Sequence, residues 1–575
     1  MKYISIPKLR SIFILAIFSA LFIQCRVSPE PTIATPEIKG LITDKAMIVS
    51  AHPLATEAGV AILKKGGNAV DAAVAVHFAL AVVHPSAGNI GGGGFMVMRA
   101  ANAQTYALDF REKAPRAASR DMYLDSDGEV IENLSWRGAR AAGVPGSVAG
   151  LVAAHDSLGS LPWAELLAPA IALAREGFTL TEKEAEGINN IKNTVNRYST
   201  RPTIFENQDQ WQKGDSIKHP QLATTLSRIA EQGNAGFYAG ETARLIVAEM
   251  QRNNGIMTLQ DLADYDAVWR KPIQGDYRGH EIISMPPPSS GGIALLQLLE
   301  MVEPFPLSEY GHNSADAVHL MAEAERRVYA DRAKHLGDAD YYPVPRSGLI
   351  KADYLLSRMA DFNANQASDS DDIEAGMPAS IESEQTTHYS IVDSSGMAVS
   401  ITTTLNGSFG SCAMVGGAGF LLNNEMDDFS SKPGTPNKYG LLGAEANAIE
   451  PGKRMLSSMT PTIVAKGETL LMVVGTPGGS TIITSVFQNI VNVIDHQMGM
   501  QASVSAKRFH HQWKPDRIQI EANALTGETA VELLNRGHTI KNRSAIGRVD
   551  AILVLPDGRL EGGADWRGDD AAAGY

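Results

Sequence analysis

Thr386-Thr387-His388-Tyr389-Ser390-Ile391-Val392-Asp393 reads as a strand, Ser394-Ser395-Gly396 as a turn, and Ala398 to Thr404 as a second strand. If this hairpin closes symmetrically around residue 395, residue i pairs with 790 − i and Thr386 faces Thr404. Directly opposed residues have Cβ atoms about 4.5–5.5 Å apart, and Asn406 keeps to the same face if the strand continues. A hydroxyl at the head of a strand then has a second hydroxyl and a carboxamide beside it. A Thr-rich exposed strand face has the same pattern, and on this segment alone it is the plainer reading.

Two later segments change that weighting. Leu470 to Val474 reads as a buried strand, followed by Gly475-Thr-Pro-Gly-Gly-Ser480 and an apolar helix from Ile482 to Ile494 with Ser480 at its N-cap. Strand, glycine loop and helix N-terminus together present backbone N–H groups to an anion, and Gly478-Gly479 let a substrate oxygen approach closely. Ser457-Ser458 adds two hydroxyls in a loop ahead of a further strand.

The elements that must position these groups are those of an ordinary globular chain. The 575 residues are 44% hydrophobic and 20% charged, with 53 Gly and 28 Pro, which excludes disorder, collagen and coiled coil as global descriptions. The net charge of −14 gives no basic footprint for nucleic acid. Cys25 and Cys412 are the two cysteines, too few for a disulfide framework or a Cys-based metal cluster. No feature calls for a metal: there is no His-Glu-x-x-His, and His510-His511 is too isolated to count.

Ala55 to Lys64 and Val70 to Val82 read as buried helices, and the glycine run ending at Gly94 as a loop leading into a strand from Phe95 to Met98. That loop lacks the context of a phosphate or dinucleotide loop, so close backbone packing is expected of it. Residues 158 to 354 read mostly as amphipathic helix, including Trp163 to Glu176, Leu222 to Gln232 and Ala315 to Lys334, and 361 to 385 as a solvated acidic linker. At the N-terminus, Lys2, Lys8 and Arg10 precede an apolar run from Ser11 to Ile23, an export signal with Cys25 where a lipoprotein signal places its acylated cysteine. The block 26–44 is expected to be a tether.

Thr386-Thr-His-Tyr-Ser390, Thr404-Leu-Asn406, Asn423-Asn-Glu-Met-Asp-Asp-Phe429, Ser457-Ser-Met-Thr-Pro461, Gly478-Gly479 and Asp109-Phe-Arg-Glu-Lys-Ala-Pro115 stand in the order and spacing of the γ-glutamyltransferases. The resemblance extends over about residues 45 to 575 and departs at Trp566, where the family ending usually reads Asp-Pro-Arg. It implies an α+β fold, the N-terminal-nucleophile hydrolase αββα sandwich of two mainly antiparallel sheets flanked by helices. It also implies self-processing at Gln385–Thr386 into a large subunit, 45–385, and a small catalytic subunit, 386–575.

The resemblance assigns roles as well. Thr386 would attack the γ-carbonyl of glutathione or a related γ-glutamyl donor, with its new α-amino group as base. Thr404 would bond the nucleophile, and Gly478 and Gly479 would hold the oxyanion. Arg111, helped by Ser457 and Ser458, would take the donor's α-carboxylate, and Asp428, Asn406 and Glu425 its α-ammonium. Tyr439 would cap the bound group from a lid loop. No cofactor is expected; water, an amino acid or a peptide would accept the glutamyl group. A cephalosporin or glutaryl acylase and a non-catalytic surface lipoprotein are the competing readings. An exported enzyme, periplasmic or anchored through Cys25, is the expected setting.

Overall fold

A computed structural model describes residues 38–377, 387–432, 434–438 and 440–575. The signal segment with Cys25, most of the tether, Gln385, Thr386 and Tyr439 lie outside the described residues. Among those described, two seven-stranded sheets hold the site. One runs in space Ala571–Gly574, Met47–Ser50, Thr387–Val392, Ala398–Thr404, Gly93–Arg99, Thr105–Phe110 and Val268–Arg270; the other runs Leu41–Thr43, Leu560–Gly563, Asp550–Val554, Thr469–Gly475, Thr462–Lys466, His280–Ser284 and Ile273–Tyr277. All neighbours within both are antiparallel.

Three apolar layers follow from the strand alternation. Tyr389, Ile391, Val399 and Ile401 point outward into a core with the helices Pro53–Lys64 and Ala69–Val83. Val392, Ala398, Val97, Ile463, Val473 and Ile552 fill the space between the sheets. Val464, Met472, Val474 and Ala551 pack against the helices Gly291–Val302, Ala315–His335 and Thr481–Ile494. The result is the expected αββα order.

Polar contacts replace apolar ones between the sheets at one rim. His388 binds Thr402 Oγ1 at 3.0 Å and Ser390 Oγ at 2.9 Å, Ser390 Oγ donates to Asp550 O at 2.9 Å, and Ser400 Oγ donates to Val474 O at 3.2 Å. The His388 ring lies where a Cβ on Gly475 would be, 2.4 Å away, so glycine is needed there for the two sheets to meet. Burial lowers the His388 pKa to about 3, so the ring is a neutral spacer.

The hairpin register is the one read from sequence: Thr387 pairs with Thr403 and Val392 with Ala398. The glycine loop also behaves as read. A Cβ on Gly91 would sit 2.1 Å from Leu421 O, and one on Gly92 1.8 Å from Thr404 O.

Several expectations are corrected. Leu41–Thr43, inside the block 26–44, is a strand paired with Leu560–Gly563, and Gly40 N–H donates to Glu561. Residues 158–354 are mostly helix, as read, but also contribute three strands to the two large sheets, Val268–Arg270, Ile273–Tyr277 and His280–Ser284, and the small pair Phe178–Thr179 and Ser216–Ile217. The described part of the acidic linker is anchored: Ser368 binds Glu323, Asp361 pairs with Arg327, and Ser370 accepts from Arg326. Ser480 takes the N-cap position without a capping bond, and its hydroxyl goes to Gln512 at 2.8 Å.

Gly92→Ala is expected to lower the urea midpoint by the equivalent of about 1–3 kcal/mol, the usual cost of forcing atoms into a closed space. Gly527→Ala, with open space around the new carbon, should stay within about 0.5 kcal/mol; equal midpoints for the two variants would contradict the close-approach reading.

Candidate active site

Strand polarity brings the described members of the expected site toward the polar rim. Thr404 ends one strand, Gly93 begins the next beside it, and Phe110 leads out of the third into Arg111. From the facing sheet, Thr462 follows Ser457-Ser458, and Gly475 leads into Gly478-Gly479.

Arg111 is fully buried. Its Nη1 lies 2.6 Å from Glu425 Oε2, and its Nη2 lies 2.6 Å from Asp428 Oδ2. Nε donates to Met455 O at 3.1 Å and Nη2 to Leu456 O at 2.9 Å, which ties the guanidinium to the chain just before Ser457. Glu112 Oε2 approaches Nη1 at 3.5 Å. Three carboxyl groups therefore surround one guanidinium.

Burial pushes Glu425 and Glu112 up to about 8 despite the pull of Arg111. Burial and the neighbouring Glu425 push Asp428 well above the usual carboxylate range. Burial opposes the charge of Arg111, but Glu425, Glu112 and Asp428 outweigh it and hold its pKa above the ordinary value.

Asn406 reaches this cluster by a different route from the one expected. The strand stops at Thr404, and Asn406 has φ +67°, a left-handed turn that Asn tolerates better than most residues. Its N–H donates to Thr404 Oγ1 at 2.6 Å and its Nδ2 to Asn424 O at 3.0 Å, setting it beside the short helical turn Glu425–Asp428. Asn406 Oδ1, Asp428 Oδ1, Glu112 Oε1 and Ser458 Oγ are buried and find no described hydrogen-bond partner. Each such atom costs about 1–3 kcal/mol, and two of the four belong to Asp428 and Glu112, the carboxyls beside Arg111, which is what a place built for a polar ligand would show.

Gly478 has φ +143° and Gly479 φ +66°, conformations open to glycine and strained for other residues. Their carbonyls accept from Thr481 N at 3.2 Å and Ile482 N at 3.0 Å, while among the described residues neither glycine N–H is spent on a backbone carbonyl. The loop thus has the form of an oxyanion hole at a helix N-terminus. In the segment after Asp428, Lys432 pairs with Glu129 at 2.9 Å and Lys438 N–H donates to Asp427 Oδ2 at 3.4 Å.

The family description "Gamma-glutamyltranspeptidase" matches residues 55–575. The chain belongs to the γ-glutamyltranspeptidase family. A glutathione hydrolase proenzyme of Escherichia coli (strain K12) is 47% identical over 534 residues, 92% of each chain. A protein of the same name from Pseudomonas aeruginosa is 50% identical over 513 residues, 88% of this chain and 90% of the relative. Among solved structures, cephalosporin acylase from Bacillus halodurans matches with a TM-score of 0.83 at 27% identity, over 96% of this chain and 99% of that one.

Within this γ-glutamyltranspeptidase, sequence reasoning missed the supports. Glu112, beside Arg111 in the sequence and given no role there, is wholly buried. Asn423 accepts from Glu425 N at 3.1 Å and donates to Gly91 O at 2.8 Å, fixing the acidic turn to the glycine loop. Asn447 donates to Asp428 O at 2.6 Å, and Tyr265 OH to Arg111 O at 2.7 Å. Away from the rim, His319, Glu323 and His538 bring possible ligand atoms within 4.8 Å of one another. Glu323 is already spent on Arg327 and Ser368.

Because Glu112 titrates near 8 in the fold and near 4.5 otherwise, the folded chain holds a proton there that the unfolded chain loses first. Its contribution to stability is present at low pH and is lost as pH rises from about 4.5 to about 8. Melting temperature should fall with pH across that window, and Glu112→Gln, neutral throughout, should flatten the slope; parallel curves would refute the buried protonated form.

Proposed function

We propose that this chain is a γ-glutamyltransferase and glutathione hydrolase that cuts itself between Gln385 and Thr386 and works through the freed threonine. The observation that carries the reading is the buried ring of Arg111, Glu425, Asp428, Asn406 and Ser458, with its unsatisfied polar atoms, at the same rim as Thr404 and the Gly478-Gly479 loop. A γ-glutamyl group ends in a carboxylate and an ammonium on one carbon, and this ring offers a cation and acids within one side-chain length. Arg111 pairs with Glu425 and Asp428. An arriving donor inserts its two charges into that pair, its carboxylate on Arg111, Ser457 and Ser458, its ammonium on Asp428, Glu425 and Asn406.

With the donor held, the Thr386 oxygen attacks the γ-carbon while the threonine α-amino group takes the hydroxyl proton and passes it to the leaving amine. The Gly478 and Gly479 N–H groups receive the oxyanion, a contribution of about 2.7–4 kcal/mol in comparable sites. Water or an acceptor amine then releases the glutamyl ester, with Tyr439 as a cap that excludes solvent. Export, with attachment through Cys25, completes the proposal and rests on sequence outside the described residues.

The acylase reading is favoured by the likeness to the cephalosporin acylase. A glutaryl group has no α-ammonium, however, and would leave the acids around Arg111 without a second cation. A non-catalytic surface lipoprotein would have no use for unsatisfied buried polar atoms.

Purified protein should run as two bands, and Thr386→Ala as one inactive precursor; two normal bands from that variant would sink the processing claim. Asp428→Asn should cut kcat/KM for γ-glutamyl-p-nitroanilide by about 10²- to 10³-fold, as for truncating one partner of a buried charge pair, while leaving cleavage intact. Glutaryl-p-nitroanilide as the better substrate of the unaltered protein would decide for the acylase.

A further inference from the structure

The described residues 359–377 form neither helix nor strand, yet they are pinned along their length. From Asn363 onward they run with the helix Ala315–His335. His319 Nε2–H donates to Asn363 O at 2.8 Å, Glu323 accepts from the Ser368 N–H at 3.1 Å and from its hydroxyl at 2.6 Å, and Arg326 donates to Ser370 Oγ. At the far end Asp331 Oδ1 accepts from the Gly376 N–H at 2.7 Å, and His335 Nε2–H donates to Gly376 O at 2.7 Å. From outside the helix, Trp513 Nε1–H donates to Ser370 O and to Ile373 O, at 2.9 Å each.

His319, Glu323, Arg327, Asp331 and His335 recur at every fourth residue, so they make one stripe along the helix. Ordering a chain costs conformational entropy at each residue. A mere spacer between two parts of a protein would leave its backbone groups to water instead.

The helix that holds this segment also holds the rim. On its opposite face, Tyr329 OH donates to Ser480 O, next to Gly478-Gly479, and Glu325 accepts from the His511 N–H at 2.7 Å. Beyond its C-terminal end, Asp338 accepts from the Arg454 N–H at 2.9 Å, one residue before the Met455 carbonyl that binds Arg111. Gly376 is therefore fixed relative to the groups on both sides of the site. From Gly376 the chain has 11 residues to Thr387, against 29 counted from Arg358 at the end of the preceding helix. The chance that two chain ends meet falls as the three-halves power of the length between them, so the shorter connection gains about fourfold.

We propose that this seam is a processing clamp, which holds the chain ahead of the Gln385–Thr386 bond so that self-cleavage is fast. The proposal rests on the self-cleavage reading above and adds the groups that deliver the bond. In the step they serve, the Thr386 hydroxyl oxygen attacks the Gln385 carbonyl carbon. The ester C–O bond forms, the peptide C–N bond breaks, and the hydroxyl proton ends on the freed amine; water then hydrolyses the ester to a Gln385 carboxylate and the threonine hydroxyl. Glu323, Arg326, Asp331, His335 and Trp513 are positioning residues that act through the segment they hold. Once the bond is cut, turnover no longer depends on them.

Pulse–chase of the full chain measures precursor half-life, and γ-glutamyl-p-nitroanilide measures the matured protein. The combined variant Ser368→Ala, Ser370→Ala, Trp513→Phe and His335→Ala removes four of the pins while Arg326 keeps Glu323 and Asp516. Its precursor should last about fourfold longer, with kcat/KM of the matured protein unchanged. Gly376→Ala is the second test. Its Cβ would lie 2.2 Å from Tyr354 OH, so the last pin must give way and cleavage should slow; adding Tyr354→Phe removes the obstructing hydroxyl and should restore the rate. A merely structural seam predicts no such recovery, because the added change also deletes the 2.6 Å hydrogen bond from Tyr354 to Asp331. Unchanged half-lives in both variants, or a kcat/KM that falls in step with the cleavage rate, would overturn the clamp. An unaltered protein that never yields two bands would instead overturn the self-cleavage reading.

Discussion

Everything at the site hangs on the hydrogen-bonded register of one strand. Thr387–Val392 is paired on one side with Ala398–Thr404 and on the other with Met47–Ser50. A slip of one residue would turn His388 and Ser390 outward into the helix core and Tyr389 and Ile391 inward. Both exchanges would be costly, since the inner face bonds the Thr402 hydroxyl of the neighbouring strand and the Asp550 carbonyl of the facing sheet while the outer face is packed among apolar side chains. The same alternation that buries the strand therefore fixes where its first residue must emerge, and Gly475 yields space to His388 so that the strand Thr469–Gly475 can lie against it.

Electrostatics explains how Arg111 can be buried so deeply. An isolated guanidinium at the position of Arg111 would be strongly disfavoured by burial. Glu425 and Asp428 make it tolerable, and Asn423 and Asn447 hold the acidic turn so that the acids cannot swing away. Three carboxyls around one cation also over-supply negative charge, which the fold absorbs by keeping protons on some of them near neutral pH. A zwitterion brings one charge for each side of the pair, so its entry leaves the net charge of the ring unchanged.

The hairpin register was legible because period-2 patterns and turn residues are local signals, whereas the two-sheet fold was implied only by the resemblance to the γ-glutamyltransferases. The site's members were legible as motifs, yet their grouping was not. Nothing in Arg111-Glu112 as a dipeptide distinguishes a buried pair from an exposed one, and Asn406 enters through a left-handed turn that a straight extension of the strand does not foresee. Ile273–Tyr277 escaped notice since Gln274, Gly275 and Asp276 break any apolar pattern. The acidic segment after 361 looked solvated because its partners, the buried Arg326 and Arg327, lie more than thirty residues upstream.

The interleaving of strands also bears on what a cut before Thr386 would do. Thr387–Val392 and Ala398–Thr404, from the C-terminal part, sit between Met47–Ser50 and Gly93–Arg99, from the N-terminal part, in one continuous sheet. The facing sheet mixes the two parts in the same way, with His280–Ser284 beside Thr462–Lys466. Cutting the connection removes no strand pairing, and each piece alone would expose unpaired sheet edges and an apolar face. The cleaved chain therefore remains one body held by backbone ladders and the shared core. A new amino terminus could be created at the head of a central strand without loosening the groups around it. Only a site built from both parts, with Arg111 on one and Asp428 on the other, has that property.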